Sequence, residues 1–122
     1  MAKHYDFPPL LVYQMQYEDE TGFNIEIKNG HPGLERAEEL FRSNGNVPDG
    51  EGWDGLVTYL LETELTHLLD KVDLDFWGDT FIATCERKAD MMALATLLQS
   101  VVTDEIRLDK LLKDLPESYR SR

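Results

Sequence analysis

The spacing of apolar residues switches between a period of two and a helical period along the chain. Leu10-Leu11-Val12-Tyr13-Gln14-Met15 is a short apolar run, partly β-branched or aromatic, and reads as a strand after Pro8-Pro9. Glu18-Asp19-Glu20-Thr21-Gly22 is polar turn material. Phe23-Asn24-Ile25-Glu26-Ile27-Lys28 then alternates strictly, which puts Phe23, Ile25 and Ile27 on one face and pairs the two strands as a hairpin. Asn29-Gly30-His31-Pro32-Gly33 breaks the chain. Leu34, Ala37, Leu40 and Phe41 form the stripe of a short amphipathic helix that ends before Asn44-Gly45. A second helix keeps its period through Trp53, Leu56, Val57, Leu60, Leu61, Leu65 and Leu68 as far as Leu69.

Val72-Asp73-Leu74-Asp75-Phe76-Trp77 alternates again, and the two-residue connection Gly78-Asp79 turns it into Thr80-Phe81-Ile82-Ala83-Thr84-Cys85. Met91, Met92, Leu94, Ala95, Leu98 and Val101 mark a helix over 88–102. Thr103 is expected to cap a final helix carrying Ile106, Leu108, Leu111, Leu112 and Leu115, which stops at Pro116. Residues 116–122 are expected to form a frayed tail. The order ββααββαα predicts an α+β fold, an antiparallel sheet of about four strands with helices packed on one face, as a single domain over 1–122. The two halves share this order without a residue-level repeat.

Length allows one core: a chain of 122 residues buries roughly two-thirds of its unfolded surface. Charge narrows the partners. There are 24 acidic residues against 12 basic ones, a formal net charge of −12. That field repels nucleic acid and anionic membranes and favours association with a basic protein. A single cysteine, Cys85, excludes an internal disulfide. The start MAKHYDFPPLL lacks the apolar core of a signal peptide, so a reducing cytoplasm is the expected compartment.

The stretch Asn46-Val47-Pro48-Asp49-Gly50-Glu51-Gly52-Trp53-Asp54 heads the second helix, and four roles compete for it: phosphate cradle, metal loop, packing device or docking point. A phosphate loop needs a Gly-Lys-Ser/Thr ending, and no basic residue lies between Asn44 and Trp53. Asp49, Glu51 and Asp54 do not supply the order of an EF-hand loop. Gly50 and Gly52 let the backbone turn tightly or approach a neighbour, and Asp49 or Glu51 favours the positive end of the helix. A packing role and a docking role for these acids both stay open.

Catalytic chemistry is not legible. His4, His31 and His67 are scattered and read as surface or capping groups. Cys85 lies on the Phe81/Ala83 face, where a small buried thiol is common. Carboxylate pairs arise by chance in so acidic a chain. No catalytic residue, metal ligand or cofactor is assigned. The alternating strands carry more information: Asp73, Asp75 and Trp77 share one face, opposite Val72, Leu74 and Phe76, and Asn24 and Glu26 occupy the matching face of the other strand. With helices on the Val72/Leu74/Phe76 side, the opposite side is either a solvated face, with Trp77 tucked under a loop, or a docking surface with an aromatic anchor among acids. The candidate partner-binding residues are Asp73, Asp75, Trp77, Asp79 and Glu26, with Asp49, Glu51 and Asp54 beside them.

Gly50-Glu51-Gly52-Trp53-Asp54-Gly55-Leu56-Val57 resembles the Gly-Asn-Gly-Tyr-Asp-Trp segment before a helix in the bacterial immunity proteins grouped as immunity protein fifty-one. The likeness continues through Tyr59-Leu60-Leu61, Leu68-Leu69-Asp70-Lys71 and the hairpin ending in Phe81-Ile82-Ala83. The helix with Ala93-Leu94-Ala95 and the stretch from Asp104-Glu105 to Leu112 follow in the family's order, so the resemblance covers residues 22–115. Asp75-Phe76-Trp77-Gly78-Asp79 replaces the family's usual Asp-Pro-Glu turn, and Glu51 its usual Asn. The resemblance implies a cytoplasmic antidote of a polymorphic toxin system that blocks its cognate toxin by stoichiometric occlusion, without catalysis. The acidic balance adds that the toxin has a basic surface, as a nuclease with a basic groove would. The alternative is an acidic inhibitor of a host ribonuclease, similar to regulator of ribonuclease activity B. Oligomeric state is not encoded in any pattern found.

Overall fold

The computed structural model describes residues 3–120. Five strands, β1 (Lys3–Phe7), β2 (Leu10–Tyr17), β3 (Glu20–Lys28), β4 (Val72–Trp77) and β5 (Thr80–Cys85), form one antiparallel sheet in the order β1-β2-β3-β5-β4. Four helices, α1 (Glu35–Ser43), α2 (Gly50–Glu64), α3 (Lys88–Val102) and α4 (Glu105–Asp114), complete an α+β fold.

The sheet has one strand more than the expected four, so the order is βββααββαα. The added strand, β1, is short and carries Lys3, His4 and Asp6, so it shows little apolar signal. Pro8-Pro9 breaks no element: Phe7 pairs with Leu10 across it, and the prolines are the turn of a hairpin. Beyond β1, the strict alternation of β3 governs the fold. Ile25 aligns with Val12 on one side and Ala83 on the other, and Ala83 aligns with Leu74. That row, with Ile27 and Phe81, makes the apolar floor on which α2 and α3 lie. α4 in turn packs on α1 and α3.

The start of α2 resolves the glycine-rich stretch. Asp49 is the N-cap, and its Oδ1 accepts from the Gly52 N–H at 2.8 Å. A Cβ on Gly50 would stand 2.4 Å from the Thr80 carbonyl oxygen, and one on Gly52 would stand 1.9 Å from that of Val47. Neither glycine has a positive φ. Close approach, not backbone conformation, requires them. The Gly50 N–H donates to the Gly78 carbonyl at 2.9 Å, which seats the first turn of α2 on the β4–β5 turn. Trp53 is fully buried, its ring centroid 4.5 Å from that of Phe41, and its Nε1 donates to Asn29 Oδ1 at 3.3 Å.

Three boundaries differ from the pattern reading. α2 ends at Glu64, and a 3-10 turn at Thr66–Leu68 then carries Leu68 into the core. α4 is capped by Asp104, whose Oδ1 accepts from the Arg107 N–H at 3.1 Å, and Thr103 closes α3 by donating to the Gln99 carbonyl at 2.7 Å. The segment after Pro116, expected to fray, forms a second 3-10 turn at Glu117–Tyr119. Arg120 follows, and its guanidinium donates to the carbonyls of Leu112, Lys113 and Leu115 at the end of α4, and to that of Asn44 past the end of α1. Residues 121 and 122 of the expected tail lie outside the described residues.

Candidate interaction surface

The register fixes what the helix-free face presents. One row runs His4, Tyr13, Asn24, Thr84, Asp73; the next runs Asp6, Leu11, Glu26, Ile82, Asp75; and Lys28, Thr80 and Trp77 make a shorter third. The first row is tied together by side chains. The Thr84 hydroxyl donates to Asn24 Oδ1 at 3.1 Å, and the His4 and Tyr13 rings lie 5.9 Å apart. The Tyr13 hydroxyl crosses to the second row and donates to Glu26 Oε2. Partial burial, followed by that bond to a carboxylate, holds the phenol above its ordinary range.

This face is less purely acidic than the alternation of β3 and β4 suggests. Leu11 and Met15 are 45% and 38% exposed, and Trp77, at 56%, is not tucked under a loop. The signal for Leu11 and Met15 is the unbroken apolar run Leu10-Leu11-Val12-Tyr13. A strand that is apolar at consecutive positions puts apolar groups on both faces. The face therefore combines exposed Leu11 and Met15 on β2 and exposed Trp77 at the β4 edge with Asp6, Glu26, Asp73 and Asp75.

The other candidate acids fall nearby but do different things. Asp49 is occupied as the α2 cap. Asp79 sits in the β4–β5 turn, its carbonyl accepting from Asn29 N–H at 3.0 Å and its Oδ1 from the Thr80 hydroxyl at 3.2 Å. Glu51 and Asp54 project from the first turns of α2 toward the end of β4. There they line a cleft of about 320 Å³ with Thr58, Phe76, Tyr119 and Arg120. Partial burial raises the Asp54 carboxyl, a hydrogen bond with Thr58 opposes this, and the neighbouring charges of Asp75 and Glu51 raise it further. Phe76 shares the covered face with Leu74 and meets the first turn of α2 at Gly50, yet it is 42% exposed because β4 is an edge strand and one side of the ring opens onto this cleft. No pattern in the sequence distinguishes it from Leu74.

Nothing at these positions is arranged for nucleophilic chemistry. Cys85 is buried at 1% exposure, and desolvation, then the charges of Asp90 and Asp73, push its thiol up to about 11, so it is protonated at neutral pH. Among the described residues no group of three or more His, Cys, Asp or Glu could hold a metal ion. No helix there is long and apolar enough to cross a membrane.

A family model described as immunity protein 51 matches residues 15–116, from the middle of β2 to just past the end of α4. No curated protein and no solved structure was found to match the chain.

Proposed function

The chain belongs to the immunity protein 51 family, and on that premise we propose that it neutralises a cognate bacterial toxin by stoichiometric occlusion, without catalysis, in the cytoplasm. The observation that supports this most is the helix-free sheet face. Its exposed Leu11, Met15 and Trp77, on β2 and at the β4 edge, supply apolar contact area for a protein partner. Asp6 and Glu26 stand beside Leu11, and Asp73 and Asp75 share the strand of Trp77, while Lys28 holds the row of Trp77 and His4 the β1 edge. A partner that fits this face is basic around an apolar patch, as the substrate groove of a nuclease is. Binding there excludes nucleic acid by occupying the groove and by opposing phosphate with carboxylates.

The test is copurification of this chain with the product of the neighbouring toxin gene, then affinity measurement on Asp73→Lys combined with Asp75→Lys. Both side chains are exposed, so the double variant should keep the parent circular dichroism and melting temperature while losing at least about tenfold in affinity, one buried charge pair's worth. Unchanged affinity with the fold intact would remove the acidic face from the mechanism. Absence of any complex with the parent would redirect the search to host ribonucleases as the target.

A further inference from the structure

We propose that the free edge of β4 receives an extended basic segment of the partner as a sixth strand, anchored against Phe76 and Trp77 at the end of that edge. This deepens the immunity reading and rests on it. The hairpin β4–β5 closes with a two-residue turn, so Trp77, Asp75 and Asp73 exchange ladder bonds with Thr80, Ile82 and Thr84. Leu74 and Phe76 then direct their N–H and C=O groups away from the sheet. Beside them Asp73, Asp75, Phe76 and Trp77 are all exposed. An open edge of this kind is a template for a further strand, and proteins ordinarily blunt it.

The blunting device is visible. Asp75 Oδ1 accepts from the Phe76 N–H at 2.8 Å, so a carboxylate covers an outward donor of the edge. A second copy of this chain is a poor occupant. Pairing β4 with itself would bring Asp73 and Asp75 against the same acids across the new ladder, between molecules each carrying −12. A basic segment reverses that balance: a partner lysine or arginine draws the Asp75 carboxylate off the Phe76 N–H, and the partner's carbonyl takes its place.

The end of the edge supplies the anchor. Phe76 lines the cleft with Glu51 and Asp54, so an arginine or lysine stem lies on its ring while the charged head meets the carboxylates. The opposite edge, β1, offers the reverse chemistry. There Lys3 and Lys88 hold their ammonium groups 5.5 and 5.3 Å from the Tyr5 ring centroid, which repels a basic segment. At its Phe76 end, where Glu51, Asp54 and Asp75 gather, charge favours β4 over the Tyr5 end of β1.

Hydrogen exchange on the copurified complex with the neighbouring gene's product tests this. The expected result is slowed exchange at the Leu74 and Phe76 amides, together with at least about a tenfold loss of affinity for Phe76→Ala, the scale of an anchor residue. Leu74→Pro removes an edge donor and should abolish binding; because that variant can misfold, the exchange pattern of the parent and the exposed Phe76→Ala carry the decision. A complex that forms with both amides unprotected and Phe76→Ala binding as the parent would overturn the edge site while leaving the immunity reading standing. No complex with the parent would overturn both. Concentration-dependent protection of the same amides in the chain alone would give the edge to a second copy and overturn the proposal.

Discussion

Asp54 and Asp49 stand five residues apart at the start of one helix, and their environments give them opposite roles. Asp49 meets a backbone donor and is consumed by the fold. Asp54 is half-buried against Phe76 with Asp75 and Glu51 as neighbours, so its charged form is disfavoured in the folded chain. An acid whose folded value is raised weakens the fold once it ionises: stability falls as pH rises from the unfolded value through the folded one. Asp54→Asn should therefore melt higher than the parent at pH 7, and the difference should vanish at pH ~3, where both states are protonated. The same variant should bind the partner less tightly, because it discards the charge that the cleft presents. Thermal melts at the two pH values with one affinity measurement decide it. A variant that melts lower at neutral pH would mean that the Thr58 bond outweighs the repulsion. The sequence shows both acids equally; only the fold tells them apart, since capping and burial depend on what β4 and the C-terminal turn bring alongside.

The elements that alternate strictly were legible, and those that depend on a distant partner were not. β3, β4 and β5 follow from period-two patterning, and α1 and α3 from helical stripes, because each buries one regular face. β1 is different: five residues with three polar side chains become a strand only because β2 offers an edge. The C-terminal turn is a sharper case. Its four carbonyl partners for Arg120 lie on two helix ends that converge only in three dimensions, so composition alone suggested fraying. Tyr119 adds a hydroxyl bond to Glu62 and an edge-on contact with the Tyr59 ring at 5.3 Å. Its carbonyl oxygen lies where a Cβ on Gly55 would be 1.9 Å away, which accounts for the third glycine of the α2 start. Arg120→Ala should cost about 1–3 kcal/mol, the scale of hydrogen bonds from a charged donor, and should open the tail to proteolysis after Pro116. Denaturant melts and limited chymotrypsin digestion, which cuts after Tyr119, measure both effects. Loss of stability without faster cleavage would show the turn held by Tyr119 alone.

On the scale of the whole molecule, charge and architecture act together. The −12 balance is spread over the chain, but the sheet gathers Asp6, Glu26, Asp73 and Asp75 on one helix-free face, and the start of α2 adds Glu51 and Asp54 at its β4 side. Bases are fewer there: Lys28 stands in the row of Trp77, and Lys71 and Arg87 line a cleft beside Asp73, while Lys3 and Lys88 flank Tyr5 at the β1 edge and Arg120 is spent on backbone carbonyls. A molecule so polarised should attract a basic partner from beyond contact distance, and its acid-rich side should meet the partner first. Attraction of that range is screened over about 10 Å at 0.1 M salt and about 3 Å at 1 M. Raising ionic strength should therefore slow association with the toxin by at least about tenfold while dissociation changes far less, because the apolar contacts of Leu11, Met15, Phe76 and Trp77 and any strand pairing at β4 survive screening. Stopped-flow or surface-binding kinetics across a salt series separate the two rates. Equal acceleration of dissociation would mean that charges, not apolar contacts, hold the complex together. A salt-insensitive association rate would mean that the acidic side keeps the chain soluble and takes no part in capture.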